Sequence, residues 1–289
     1  MNSLTQNRHI TLLCLLAMAT IYLYLGYSFE RDQFSLYLLC YVVLFASFGW
    51  VYKKSKAPLK QLLYISFGLK LLFIVSTPFL SQDFYRFIWD GHMLISGINP
   101  YNFTPTEVLN QNIFTFPNRQ LLYDGMGGLS ASHFTNYPPF NQLFFALASA
   151  IGGKSVLLSI VVLRLTILAA EIGVIWIGLK LLKHLKLNSK NILLYALNPL
   201  VVIELSGNLH FEGVMLFLIL CCVYCIARYK TVLGASFLAL AVMTKLIPLL
   251  LVPCFYQTPQ ACLSCGRSPA QCRSRRAEIG PSWARSLRN

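Results

Sequence analysis

The chain has 289 residues, of which 56% are hydrophobic and only 12% charged, with a mean hydropathy of +0.59. A soluble domain of this size carries about 25% charged residues, so a water-covered globule is excluded and an all-α, polytopic membrane helix bundle is expected. The formal net charge of +14 then reads as basic loops between spans, following the positive-inside bias, and no nucleic-acid partner is expected.

Eight hydrophobic segments follow in chain order: Ile10–Tyr27, Phe34–Tyr52, Gln61–Leu80, Pro138–Gly152, Val156–Leu182, Asn191–Ser206, Val214–Ala227 and Val232–Pro253. A crossing helix needs about 20 apolar residues, so the fourth, sixth and seventh are short and one or more could be re-entrant. The first run lacks a small-residue cleavage site and reads as a span, not a signal peptide. Lys53, Lys54, Lys56 and Lys60 put the loop after the second span in the cytoplasm, and the connection from Gln82 to Tyr137 outside. If Pro138–Gly152 is re-entrant, Lys180, Lys183, Lys186 and Lys190 return to the cytoplasm. The Gly207–Gly213 loop then faces outward with Asp83. Arg164 and Glu171, seven residues apart inside a span, are expected to bond neighbouring helices or each other, as is Glu204; Lys70 is expected to snorkel.

The segment SQDFYRFIWDGHMLISGINPY, from Ser81 to Tyr101, is charged and aromatic and follows a hydrophobic span. As a helix it places Asp83, Arg86 and Asp90 on one face and Phe84, Phe87, Ile88, Gly91, Leu94 and Ile95 on another. Tyr85, Trp89 and His92 fall between, at the headgroup level. An amphipathic helix lying on the membrane surface is predicted, within a long external loop over residues 81–137. Asp83 could instead be a helix-capping carboxylate, and Arg86 a salt-bridge partner of Asp83 or Asp90. The connection from Asn99 to Tyr137 is long for a loop without an element of its own. It carries Tyr123-Asp-Gly-Met-Gly-Gly128 and His133, and ends in Asn136-Tyr-Pro-Pro139.

All twelve lysines precede residue 254, whereas the last 36 residues hold six arginines and four cysteines. Their lack of periodicity predicts a frameshifted or disordered tail over 254–289, after an incomplete domain over 1–253. Cys262-x-x-Cys265 with Cys272 lacks a fourth zinc ligand at a fitting spacing, so no metal site is expected. Cys222-x-x-Cys225 reads as helix packing.

The motifs DFYRFIWDG from Asp83, GINPY from Gly97, YPP from Tyr137, NPL from Asn198, GNLHFEG from Gly207 and KLIP from Lys245 occur in that order. Together the chain resembles the GT-C class of membrane glycosyltransferases, nearest to glycosyltransferase family 87 and related bacterial mannosyltransferases. The resemblance implies a GT-C-like bundle in the cell membrane, multi-pass, and in bacteria the inner membrane. It implies inverting transfer of a hexose, usually mannose, from a polyprenyl-phosphate sugar to a glycan or glycolipid acceptor on the outer face. No cofactor or metal is implied beyond that donor substrate. Asp83 matches the position of the general base. Arg86 and Lys245 are candidates for the leaving phosphate, with His210 as a hydrogen-bonding partner. Asp90, Asn99, Tyr101, Tyr137 and Glu212 complete the candidate substrate-binding set. Members of the class usually continue with further spans. Two other readings are a transporter or flippase for an anionic or lipid-linked solute, using Arg164, Glu171 and Glu204, and an inactive truncated fragment.

Overall fold

The computed structural model describes residues 3–253; the tail over 254–289, with its cysteines, lies outside them. Among the described residues the chain is helical, with no strand. In chain order the helices are α1 (Ser3–Tyr27), α2 (Phe34–Lys54), α3 (Leu59–Leu71), α4 (Asp83–Ile95), α5 (Pro105–Asn110), α6 (Arg119–Ala131), α7 (Pro139–Gly152) and α8 (Val156–His184). A broken stretch follows: a 3-10 turn at Ser189–Ile192, the short helices α9 (Leu193–Ala196) and α10 (Pro199–Val201), and a π-helical turn at Val202–Gly207. Helices α11 (Glu212–Ala227) and α12 (Thr231–Thr244) and a 3-10 turn at Ile247–Leu251 close the described chain.

Among the described residues, three helices are long and apolar enough to cross a membrane, at Gln6–Tyr27, Phe34–Lys54 and Val156–His184. The count becomes four if Pro199–Gly207 and Glu212–Ala227, bent by 114°, form one span. The eight hydrophobic segments are therefore not eight full-length helices. The third segment leaves the helix after Leu71. The sixth is interrupted by Pro199, which has no N–H to give, and by the wider π turn. The eighth stops at Thr244, before an extended Lys245 and Pro248.

The apolar residues gather in two cores. One joins α1, α2 and α3 to residues 193–203, through Met18, Tyr22, Leu44, Phe73, Phe79 and Leu197. The other joins α4, α6, α7, α8 and α11. At its centre Phe87 stacks on Phe145 at 4.4 Å and meets Tyr137 at 4.9 Å and Phe211 at 5.7 Å. Phe79 belongs to the first core and Phe84 to the second, so the residues between them run along the seam.

Helix α4 is not a surface helix. Arg86 to Met93 are all buried, because α7 and α6 pack against it. A Cβ on Gly91 would stand 2.2 Å from the Phe145 carbonyl oxygen, and one on Gly125 2.5 Å from the Tyr85 ring. Gly91 permits a backbone approach that a side chain would block, and Gly125 leaves room for the Tyr85 ring. Trp89 and His92 are buried in this packing, away from a headgroup environment; the His92 ring stacks on Phe116 at 5.0 Å. Nor is the connection from Asn99 to Tyr137 without elements of its own: it contains α5, opened by a Thr104–Glu107 capping box, and α6.

The two lysine-rich loops lie at the same end. Tyr52 at the end of α2 donates its hydroxyl to Asn191 Oδ1 at 3.1 Å, and Lys190 Nζ sits 5.6 Å from the Tyr52 ring centre. Asn208 Oδ1 accepts from the Leu80 N–H at 3.0 Å, which brings the Gly207–Gly213 turn beside the start of α4.

Candidate active site

A cleft of about 480 Å³ opens along the seam, walled by residues 80–83, residues 126–130 and His210. Asp83 is the exposed carboxylate in it. Ser81 Oγ accepts from the Asp83 N–H at 3.2 Å, so the free donor there is met by Ser81 and the Asp83 carboxylate is left for other partners. One is Tyr137. Burial first, then the charge of Asp83, raises the Tyr137 phenol above its ordinary pKa, and the hydroxyl donates toward that carboxylate.

The opposite wall is a kinked helix. Gly127 sits inside α6 with φ 75° and ψ 158°, a conformation that favours glycine. The kink turns residues 126–130 toward the cleft, and Gln82 lines it from the α4 side. Gln82 and Ser130 were not singled out in the sequence; the Gly127-Gly128 pair was the one local signal for this wall.

Beneath the cleft, Arg86 and Asp90 form a support. Arg86 Nε donates to Asp90 Oδ1 at 2.8 Å, and one terminal nitrogen donates to the carbonyls of Ser130 at 2.7 Å and His133 at 3.0 Å. Asp90 Oδ2 accepts from Gln142 Nε2 at 3.0 Å, and Gln142 Nε2 also reaches Thr135 Oγ1 at 3.2 Å. Burial pushes the Asp90 carboxyl up, against the opposing pull of Arg86. At 3% and 0% exposure, Arg86 and Asp90 do not share an open face with Asp83; they fix the end of α6 to α4 and α7.

His210 donates across to Glu204, with Nδ1 3.2 Å from Oε2. That bond raises the His210 pKa, as do the charges of Glu212, Glu204 and Asp83, against burial. Glu212 is in turn paired with Lys245. The turn thus carries a sequence of charges from Glu204 through His210 and Glu212 to Lys245, with Asp83 facing it. Asn99 and Tyr101 stand outside the cleft. Asn99 Oδ1 accepts from the Tyr101 N–H at 3.0 Å, and the Tyr101 hydroxyl donates to the Tyr137 carbonyl at 2.5 Å. Tyr101 thereby holds the segment that carries Tyr137.

The polar residues inside the helices serve the same turn. Arg164 donates to the carbonyls of Ser206 at 2.6 Å, Ile74 at 2.9 Å and Gly207 at 3.2 Å. Lys70 does not snorkel. It is buried against Glu171, whose other oxygen accepts from Ser206 Oγ at 2.9 Å. Helix α8 so grips the π turn through two charged residues, and the turn presents His210 to Asp83.

Residues 16–258 match the family described as alpha-(1->6)-mannopyranosyltransferase, N-terminal domain. Alpha-(1->6)-mannopyranosyltransferase A of Mycobacterium tuberculosis is 26% identical over 173 residues, which are 60% of this chain and 32% of that protein. The protein of the same name from Corynebacterium glutamicum is 24% identical over 181 residues, 62% of this chain and 35% of that protein. The chain spans about a third of the length of these curated relatives. No solved structure matches it.

Proposed function

From the premise that the chain belongs to the alpha-(1->6)-mannopyranosyltransferase N-terminal domain family, we propose that it is a multi-pass membrane mannosyltransferase using a polyprenyl-phosphate mannose donor. The acceptor is a glycan or glycolipid hydroxyl on the extracytoplasmic side. The observation that carries the reading is Asp83: an exposed carboxylate at the start of a buried helix, in a cleft it shares with His210.

In the transfer, the acceptor hydroxyl gives its proton to Asp83 as its oxygen attacks the anomeric carbon of the donor. The bond from that carbon to the phosphate oxygen breaks, and the electron pair leaves with the polyprenyl phosphate. A carboxylate positioned for such a proton transfer contributes about 10²- to 10⁴-fold. The leaving group keeps its own charge, so a cation serves it better than an acid. His210 lines the same cleft and has its pKa raised by the Glu204 bond, so its protonated form would serve this role, and Lys245 is paired with Glu212 close by. Arg86 already has three hydrogen bonds inside the protein and is assigned to holding the cleft wall. Arg164 and Glu171, which a carrier would need along an open path, are bonded to the π turn, which favours the transferase reading.

The test is transfer of labelled mannose from a polyprenyl-phosphate donor in membranes holding wild-type or Asp83→Asn protein at equal abundance. Loss of transfer with an unchanged melting temperature is expected. Transfer at the wild-type rate would sink the assignment.

A further inference from the structure

The cleft uses one end of the bundle; the start of α3 carries a second cavity. It has a volume of about 290 Å³ and lies between the loop after α2 and the 3-10 turn before α9. Its wall includes Ser55, Lys56, Leu59, Asn188 and Lys190. At about 30 Å³ per water, the volume takes a group of headgroup size.

Three observations set its chemistry. The first is charge. Lys53, Lys54, Lys56 and Lys60 come from one side and Lys183, Lys186 and Lys190 from the other, while no acidic residue occurs between Asp32 and Asp83 or between Glu171 and Glu204. Among the described residues none of these lysines is in an ion pair. The second is the helix start. Helix α3 begins on the cavity wall at Leu59, its N-cap is Pro58, and no side chain caps its free N–H groups. A helix of 13 residues left uncapped presents both free donors and the positive end of its dipole. The third is rigidity. The Tyr52 hydroxyl bond to Asn191 ties the two walls together, Ser55 Oγ accepts from the Ala57 N–H at 3.2 Å, and Asn188 Oδ1 accepts from the Lys190 N–H at 2.9 Å. The acceptor atoms of Ser55 and Asn188 are thus occupied by backbone, which leaves their hydroxyl and amide N–H groups to donate.

We propose that this cavity binds the phosphodiester headgroup of an anionic membrane lipid. It has cations, free donors and no acid, and it lies just past the ends of α2 and α8, two of the helices long and apolar enough to cross a membrane. A cluster of lysines placed at the ends of spans attracts anionic lipid. The cavity adds a fixed place for one phosphate.

Native mass spectrometry of the full chain in detergent, titrated with phosphatidylglycerol, phosphatidylcholine or inorganic phosphate, tests this. Lys56→Gln with Lys190→Gln removes the two cavity cations; Lys54→Gln with Lys183→Gln removes two equal charges outside the cavity wall. Lys54, Lys56 and Lys183 are exposed and Lys190 is half-buried beside Tyr52, and equal melting temperatures establish that both variants fold. Discrete phosphatidylglycerol adducts are expected on the wild type. The cavity variant should weaken them at least tenfold, roughly what two cations near a lipid phosphate supply, with the control variant changed much less. Equal loss in both variants would mean diffuse attraction only and would overturn the site. Binding of phosphatidylcholine as strongly as phosphatidylglycerol, or of inorganic phosphate in place of lipid, would overturn the lipid assignment. None of these readouts depends on mannose transfer, so they stand or fall apart from the role of Asp83.

Discussion

Arg86 and Asp90, one turn apart on α4, share a 2.8 Å hydrogen bond where neither meets solvent. They join three pieces of chain: Arg86 reaches the carbonyls of Ser130 and His133, and Asp90 reaches Gln142 on α7. The residues that wall the cleft at 126–130 are therefore held from below by an ion pair. Removing one member strands the other as a buried charge, at a cost of about 3–5 kcal/mol. Arg86→Met should therefore lower the melting temperature sharply. Arg86→Met with Asp90→Leu should recover much of the loss, since no charge is then left unpaired. Differential scanning fluorimetry in detergent reads both. A double variant no better than the single would show that the hydrogen bonds to the Ser130 and His133 carbonyls, and not the charge pairing, carry the effect.

Gly91→Ala tests the close approach of α4 and α7. The added Cβ would lie 2.2 Å from the Phe145 carbonyl oxygen and 2.3 Å from Ser149 Oγ, and the first of these is backbone. Overpacking of this kind costs about 1–3 kcal/mol or more. The expected result is a lower melting temperature and reduced transfer, since α4 also carries Asp83. Gly68→Ala meets nothing within 4 Å and serves as the neutral control.

The motif around Asp83 was legible in the sequence; the Gly207–Gly213 turn was expected on the same side as Asp83 only if α7 is re-entrant, and what sets the two side by side is the Asn208 bond to Leu80. The burial of α4 was not. Asp83, Arg86 and Asp90 do share a helix face, but periodicity cannot say that a helix is covered on two sides. Gly91 and Gly125 were the residues that permitted it. The sixth hydrophobic segment read as one short run, with its breaks hidden, because hydropathy sums over Pro199 and the π turn alike. Lys70 read as a snorkelling residue because its partner, Glu171, is 101 residues away and no local pattern connects them.

Lys70→Met should therefore be among the most damaging single changes in the spans. It leaves Glu171 buried with Ser206 Oγ as its remaining donor, again at about 3–5 kcal/mol, and it loosens the π turn that presents His210. Lys70→Met with Glu171→Leu should regain stability while transfer stays low if the turn has shifted. Recovery of both together would mean that Arg164 alone positions the turn.

Half-buried His210 and buried His92 predict opposite slopes of stability with pH. His210 has its pKa raised by the Glu204 bond and by the Glu212 and Asp83 charges. Its contribution is fully present below the ordinary histidine value of about 6.5 and is lost as pH rises through the raised value. His92, on α4 against Phe116, has its pKa lowered by burial. The unfolded chain takes up that proton first as pH falls, so the neutral native form loses stability below about 6.5. Melting temperature should therefore peak near that pH. His210→Gln should flatten the alkaline side, and His92→Phe the acid side. His210→Gln should also lower transfer on the acid side, where the wild-type ring is charged and available to the departing phosphate. If His210→Gln flattens the stability curve but leaves the pH profile of transfer unchanged, His210 holds the turn through Glu204 and takes no part with the phosphate.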